Sequence, residues 1–204
     1  MEVSLIDHTR TDFYEPLIIT AHSTRINERK LVWDKEKSID DMCKDLISWN
    51  HTGVFEHIKF TFHISGISRS LTHQLVRHRI ASYLQMSNRH AKPNKNDYIT
   101  PPSCEIKDIN DLDSVGCYYH NIINECYNCY ESLIKKGVPK EDARYILPPA
   151  FFTHITVTMN GRSLRHFLKL RLDEHAQWEI RKVAEACRDI AKEIWPEAMS
   201  HFKK

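Results

Sequence analysis

Between Ile58 and Ile64 the chain reads IKFTFHI, with Ile58, Phe60, Phe62 and Ile64 alternating against Lys59, Thr61 and His63. A period of 2 places the four apolar side chains on one face of an extended segment, which predicts a strand with one buried side. Upstream, Ile39, Met42, Leu46 and Ile47 share one helical face of Lys37 to Trp49, and Met1 to Ile6 reads as a short opening strand. Downstream, Leu71 and Leu75 predict a helix that ends near Arg79, followed by polar, irregular sequence through Pro93, Asn94 and the Pro101-Pro102 pair. Ser114 to Lys136 has the pattern of a long amphipathic helix, capped by Ser114 and stopped at Gly137. Pro139 opens a further helix that ends before Pro148-Pro149. Phe151 to Met159 is rich in Thr, Ile, Val and Phe and predicts a second strand, after which Ser163 to Leu172 and His175 to Trp195 read as helices. The class is mixed α and β. No repeat or composition break divides residues 1–204, so one domain is expected.

With 204 residues, 41% of them hydrophobic and 27% charged, the chain can bury a sizeable core, which excludes a long disordered protein. No run approaches the ~18 to 20 apolar residues that a membrane span needs. Met1 to Asp7 is too short and acidic for a signal peptide, so a soluble cytoplasmic protein is expected. Of the six cysteines only Cys126 and Cys129 form a C-x-x-C pair, and they lie within a helical run with Val115, Tyr119, Ile122 and Leu133. No second pair or H-x-E motif completes a zinc site, and Glu125 stands where a zinc nucleoside deaminase needs proline. Reduced, structural thiols and no metal are expected.

The charge balance is uneven. Residues 57–96 contain Lys59, Arg69, Arg77, Arg79, Arg89, Lys92 and Lys95 without one Asp or Glu, a local charge of +7 inside a chain whose formal charge is +2. Five histidines, His57, His63, His73, His78 and His90, join them. Solvated helix faces usually mix signs, so the segment reads either as an exposed basic loop or as one whose missing partner is an anion, for which arginine forks suit phosphate. Neither a G-x-x-x-x-G-K-[ST] loop nor a G-x-G-x-x-G fingerprint occurs among the five glycines, which leaves side chains to hold that phosphate.

The string RHRIASYLQMSNR, Arg77 to Arg89, resembles the signature of the flavin-dependent thymidylate synthases, an Arg-His-Arg followed after seven residues by Ser, here Ser87. Three further blocks resemble that family in order: HTGVFEHIKFTF from His51 to Phe62, ARYILP from Ala143 to Pro148, and MNGRSLRHFLKLRLDEHAQWE from Met159 to Glu179. The resemblance implies an α+β fold with a mixed central sheet flanked by helices, and reductive methylation of dUMP to dTMP. The carbon would come from methylenetetrahydrofolate and the electrons from NADPH through FAD, in a homotetramer with sites at subunit interfaces. None of the six cysteines lies in a Pro-Cys-His context, so nothing marks the activated thiolate on which classical thymidylate synthesis depends.

Carried over position by position, the resemblance implies FAD contacts at His51, Arg77, His78, Arg79, Gln85, Asn160, Arg162 and His166. It implies dUMP contacts at Gln74, Arg77, Gln85, Ser87, Arg89, Arg144 and Arg171. Arg171 is the expected catalytic residue, a permanent cation that favours ionised N3 of the pyrimidine and the negative charge that builds as C5 becomes nucleophilic. Ser87 lacks a His-Asp pair and reads as a ligand contact. Three positions depart from the family pattern: Leu84 where Asn or a similar residue is usual, His166 where Asn is usual, and Gln85 where Glu is usual. Two other readings remain open. One is a non-catalytic module for single-stranded nucleic acid, with Tyr83 and Tyr98 as stacking surfaces. The other is a flavin- or nucleotide-binding relative without synthase activity.

Overall fold

The computed structural model describes residues 1–25, 37–87, 89, 91–106, 114–196, 199 and 202; Asn88 and His90 of the cationic segment lie outside the described residues. In order along the chain come β1 (Glu2–His8), α1 (Thr11–Arg25), α2 (Ile39–Ser48), a 3-10 turn (Thr52–His57), β2 (Lys59–Ser68), α3 (Arg69–Leu75) and β3 (Ala81–Gln85). They are followed by α4 (Val115–Lys135), the single-turn α5 (Lys140–Ala143), β4 (Phe152–Asn160), α6 (Gly161–Arg171) and α7 (Trp178–Ile194). The strands form one four-stranded sheet in the order β1-β2-β4-β3, and the fold is α+β. By compactness the chain divides into a larger unit, residues 2–64, 74–84 and 156–204, and a smaller unit, residues 1, 65–73 and 85–155.

In the larger unit the alternation of β2 is realised as read: Ile58, Phe60, Phe62 and Ile64 are all at most 1% exposed. Each such burial contributes roughly 1.5–3 kcal/mol relative to exposure. The opposite face of β2 meets β4 through polar pairs, Thr61 with Thr158 at 3.0 Å and His63 Nδ1 with Thr156 Oγ1 at 3.2 Å. Leu164, Phe167 and Leu168 of α6 and Ile180, Val183, Ala184 and Cys187 of α7 are buried at helical spacing. Asn160 ends β4 and caps α6, its Oδ1 accepting from the Ser163 N–H at 2.8 Å, which satisfies one of the orphan donors of the first turn.

In the smaller unit α4 starts at the Ser114 cap and buries Ile123 and Tyr130. Phe151 is fully buried and stacks with Tyr127 at 6.2 Å. Gly66 takes φ +67° with Met1 backbone atoms only 2.9 Å from where a Cβ would stand, so the chain passes there only as glycine.

Two elements depart from the sequence reading. Residues 81–85 are strand β3 rather than irregular, because the alternation is inverted there: Leu84 faces solvent at 75% exposure while Tyr83 and Gln85 are half-buried. Residues 11–25 form α1, whose pattern hides it. Pro16 lies inside, Phe13 is 62% exposed, and a narrow seam of Ile18, Ile19 and His22 turns inward. There His22 Nε2 bonds Asp45 of α2 at 3.0 Å. Smaller shifts follow from caps and turns: β2 runs on to Ser68, α3 ends at Leu75, and a 3-10 turn (Arg144–Ile146) follows α5.

Candidate functional site

The larger unit carries two neighbouring clefts. One, about 360 Å³, is lined by Glu56, Arg79, Ile80, Asn160, Arg162, Ser163 and His166. The other, about 380 Å³, is lined by Arg77, His78, Arg79, Ile80, His166, Leu170 and Arg171. Both draw on the first turns or the far end of α6 and on the turn that links α3 to β3, so seven of the residues implied by the resemblance share these walls. Among the described residues Arg77 and Arg79 have no carboxylate partner, and Arg162 pairs only with the exposed Glu56. An exposed pair of this kind is worth at most about 1 kcal/mol, so a phosphate can replace Glu56 at little cost. Arg79, without a carboxylate partner among the described residues, and Arg162, in an exposed and exchangeable pair, line the cleft at the N-terminus of α6 and fit a diphosphate-bearing cofactor.

The turn itself is clamped from behind. The Arg77 and His78 N–H groups donate to the Gln74 and Leu75 carbonyls at 3.2 and 3.1 Å. The Tyr83 hydroxyl lies 2.7 Å from the His78 carbonyl and 2.9 Å from that of Leu75, and burial pushes its phenol up to about 12. Gln74, half-buried at the end of α3, contributes that first carbonyl.

His78 is buried, with its ring edge-on to Phe167 at 5.0 Å and its Nε2 accepting from Arg171 Nε at 2.9 Å. An Nε2 that accepts must be unprotonated. Burial first, then the Arg171 and His166 charges, push this imidazole down from 6.5 to about 4. As pH falls the unfolded chain therefore takes up the proton first, so the stability tied to neutral His78 is full above about 6.5 and is lost between about 6.5 and about 4. The urea midpoint of the wild-type protein is accordingly expected to approach that of His78→Phe as pH is lowered from neutrality into this window; a constant gap would show that the ring is not held neutral.

His51 precedes the 3-10 turn, donating its backbone N–H to Leu46 at 2.8 Å. Its neighbours Asn50 and Thr52 line a third cleft of about 250 Å³ with Arg162, Arg165, His166, Lys169 and Phe202.

The smaller unit carries a separate cavity of about 450 Å³, lined by Arg69, His73, Arg144, Tyr145 and Leu147. Arg144 was expected from the sequence; Arg69 was counted only as one cation of the +7 segment. The Arg69 Nη1 atom is buried with no hydrogen-bond partner, and burial together with the Arg144 charge lowers its affinity for its proton. Two guanidiniums with an unmet buried donor form a place for an anion. Its signal in the sequence was the lack of any acid within residues 57–96, but that did not single out Arg69 from six other cations.

Glu141 organises two of the expected dUMP contacts: its carboxylate pairs with Arg89 Nε at 2.7 Å, and its carbonyl accepts from Arg144 Nε at 3.0 Å. Ser87 Oγ accepts from the Arg89 N–H at 3.2 Å, so both lie in one local turn. Gln85 is committed within the unit. Its Nε2 donates to Thr72 Oγ1 at 3.0 Å and approaches Thr153 Oγ1 at 3.4 Å, while the Thr72 hydroxyl donates onward to the Arg69 carbonyl. A carboxylate could not donate to these hydroxyls, which is a physical reason for the amide at this position.

Tyr83 and Tyr98, the stacking surfaces of the nucleic-acid reading, are both half-buried, Tyr83 through its clamp and Tyr98 through a 2.5 Å bond to His120 and a ring contact with Phe151. Among the described residues no group of His, Cys, Asp and Glu could hold a metal ion, and no helix is long and apolar enough to cross a membrane. Cys126 and Cys129 are unbonded on α4.

A family model described as thymidylate synthase complementing protein matches residues 4–197. The flavin-dependent thymidylate synthase of Sulfolobus acidocaldarius is 44% identical over 186 residues, covering 87% of this chain and 69% of its own length. Those of Sulfurisphaera tokodaii and Geobacter sulfurreducens are 40% and 36% identical over 204 residues, covering 96% of this chain and 75% and 84% of theirs. With Arg171 of α6 and Arg77 and Arg79 of the turn lacking carboxylate partners among the described residues, and a match that runs nearly end to end, the chain belongs to the flavin-dependent thymidylate synthases, enzymes that work through a flavin.

Proposed function

We propose that the chain, acting as one domain over residues 1–204, methylates dUMP to dTMP with methylenetetrahydrofolate as carbon donor and NADPH as reductant. FAD, when bound, supplies the redox chemistry of that exchange. Arg77, Arg79, Asn160, Arg162, His166 and His51 hold its phosphates and frame its ring. Arg144, Arg89, Ser87 and the newly found Arg69 take the nucleotide phosphate, and Gln74 reads the base or sugar. Arg171 faces the pyrimidine. The observation that carries this reading is the Arg171 side chain, fixed by neutral His78 in a cleft whose cations lack carboxylate partners among the described residues.

In this arrangement Arg171 uses Nε to hold His78, which leaves the two terminal nitrogens of the fork for the ligand. A guanidinium stays charged at any working pH, so it stabilises the ionised N3 and the charge that develops toward C5 without itself exchanging a proton. Gln85 supports the reaction indirectly, through Thr72 and the Arg69 carbonyl. The active form is a cytoplasmic homotetramer in which more than one copy contributes to each site. Converging guanidiniums of that kind repel one another until anions arrive, so FAD and dUMP stabilise the assembly.

Purified protein is expected to be yellow. With FAD bound it releases tritium from C5 of labelled dUMP only when both NADPH and methylenetetrahydrofolate are supplied. Bound flavin with no tritium release would leave a binding relative without synthase activity; colourless protein with steeply salt-dependent affinity for single strands would favour the nucleic-acid module.

A further inference from the structure

Ile80 adopts φ +63°, in the left-handed region that a β-branched residue enters only when its surroundings over-determine it. Burial does not explain the choice, because the residue is 77% exposed. The turn imposes it. On one side the Arg77 and His78 N–H groups are bonded back to α3, on the other the Tyr83 hydroxyl clamps the His78 and Leu75 carbonyls, and the His78 ring is wedged against Phe167. At this position asparagine or glycine would sit with less strain. The isoleucine therefore has a use that the free protein does not show.

Its location indicates that use. Ile80 lines both clefts of the larger unit, one with Asn160 and Arg162, the other with Arg77 and Arg171. Apart from Leu170, every other group on those two walls is charged or polar. A ligand that reaches from the Arg162 side to the Arg171 side crosses an exposed aliphatic side chain on the way.

We propose that Ile80 is a cofactor-positioning residue, an apolar shelf that the clamped turn holds outward so that a flat conjugated ring of an anionic cofactor rests on it while the flanking guanidiniums take the phosphates. This rests on the flavin reading above. The shelf adds what arginines cannot supply: it fixes the height and tilt of a ring that has no charge to be gripped by, and it covers one face of that ring from water.

Two variants of the full chain test it. Ile80→Asn relieves the backbone and removes the shelf; Ile80→Leu keeps the apolar area while giving up the branch at Cβ. Ile80→Asn is expected to bind FAD roughly ten-fold more weakly, from the loss of a buried aliphatic contact, as read from flavin fluorescence. Its melting temperature without added flavin is expected to rise by about 2–4 °C as the strained position is relaxed. Ile80→Leu retains affinity close to that of the wild type. The opposite signs separate the shelf from a merely structural residue, which would lose stability and affinity together; that joint loss, or wild-type affinity in Ile80→Asn, overturns the proposal. A wild-type protein that binds no FAD overturns the flavin reading instead.

Discussion

Arg171→Ala is expected to leave the flavin bound and to slow dTMP formation by roughly two to three orders of magnitude, the size of effect seen when a preorganised charge at a developing anion is removed. The flavin survives because the uncompensated cations Arg77 and Arg79 and the cap at Asn160 are untouched. The chemistry fails because nothing else on that wall offers a fork held at its Nε by a neutral, buried ring. Arg171→Lys keeps the charge on a flexible stem that cannot reproduce this fixed fork, so it should recover only a small part of the rate. The readout is tritium release from C5 of dUMP beside the flavin absorbance of the same sample. Normal turnover in Arg171→Ala would remove Arg171 from its assigned role.

The second large effect falls on nucleotide affinity. Arg69→Ala and Arg144→Ala are each expected to raise the KM for dUMP by roughly ten- to a hundred-fold, since each removes a charge-assisted contact worth about 1.5–3 kcal/mol. FAD affinity should stay within about two-fold of the wild type, the additivity expected of independent sites. Arg69 is the sharper test. Its unmet buried donor makes it the residue with most to gain from an anion, so Arg69→Met, which keeps the stem and removes the charge, should be no less stable than the wild type while losing dUMP affinity. Inorganic phosphate should compete with dUMP on the wild type and lose that ability in the variant. An unchanged KM in Arg69→Met would show that the cavity takes no part in substrate binding.

How much of this was legible in the sequence depended on whether a signal was periodic. The alternation of β2, the Ser114 cap and the apolar spacing of α6 and α7 were readable because burial imposes one period on consecutive residues. Strand β3 broke that rule by putting Leu84 outward and Gln85 inward, since its inner face serves hydrogen bonds to Thr72 and Thr153 rather than apolar packing. Helix α1 was hidden for a related reason: among its described side chains Ile18, Ile19 and His22 are buried, beside a part-buried bond from His22 to Asp45, and these make no long stripe to count. The candidate site residues of the larger unit were named by motif resemblance, and the structure adds shared cleft walls and the bond from Arg171 to His78, neither of which a motif displays. Arg69 could not be singled out, because an unsatisfied buried donor is a property of packing and has no mark in the order of residues.

The clamp formed by Tyr83 also limits how portable the Arg77–Arg79 turn can be. The backbone that carries its guanidiniums is held by a phenol four residues beyond the turn, and its imidazole by Phe167, on a helix nearly ninety residues further along the chain. Anyone transplanting this tripeptide onto another scaffold would carry the charges across but leave the aiming device behind. A graft that binds phosphate yet cannot orient a ring is the outcome to expect, until a hydroxyl is supplied to both carbonyls and an aromatic wall to the imidazole.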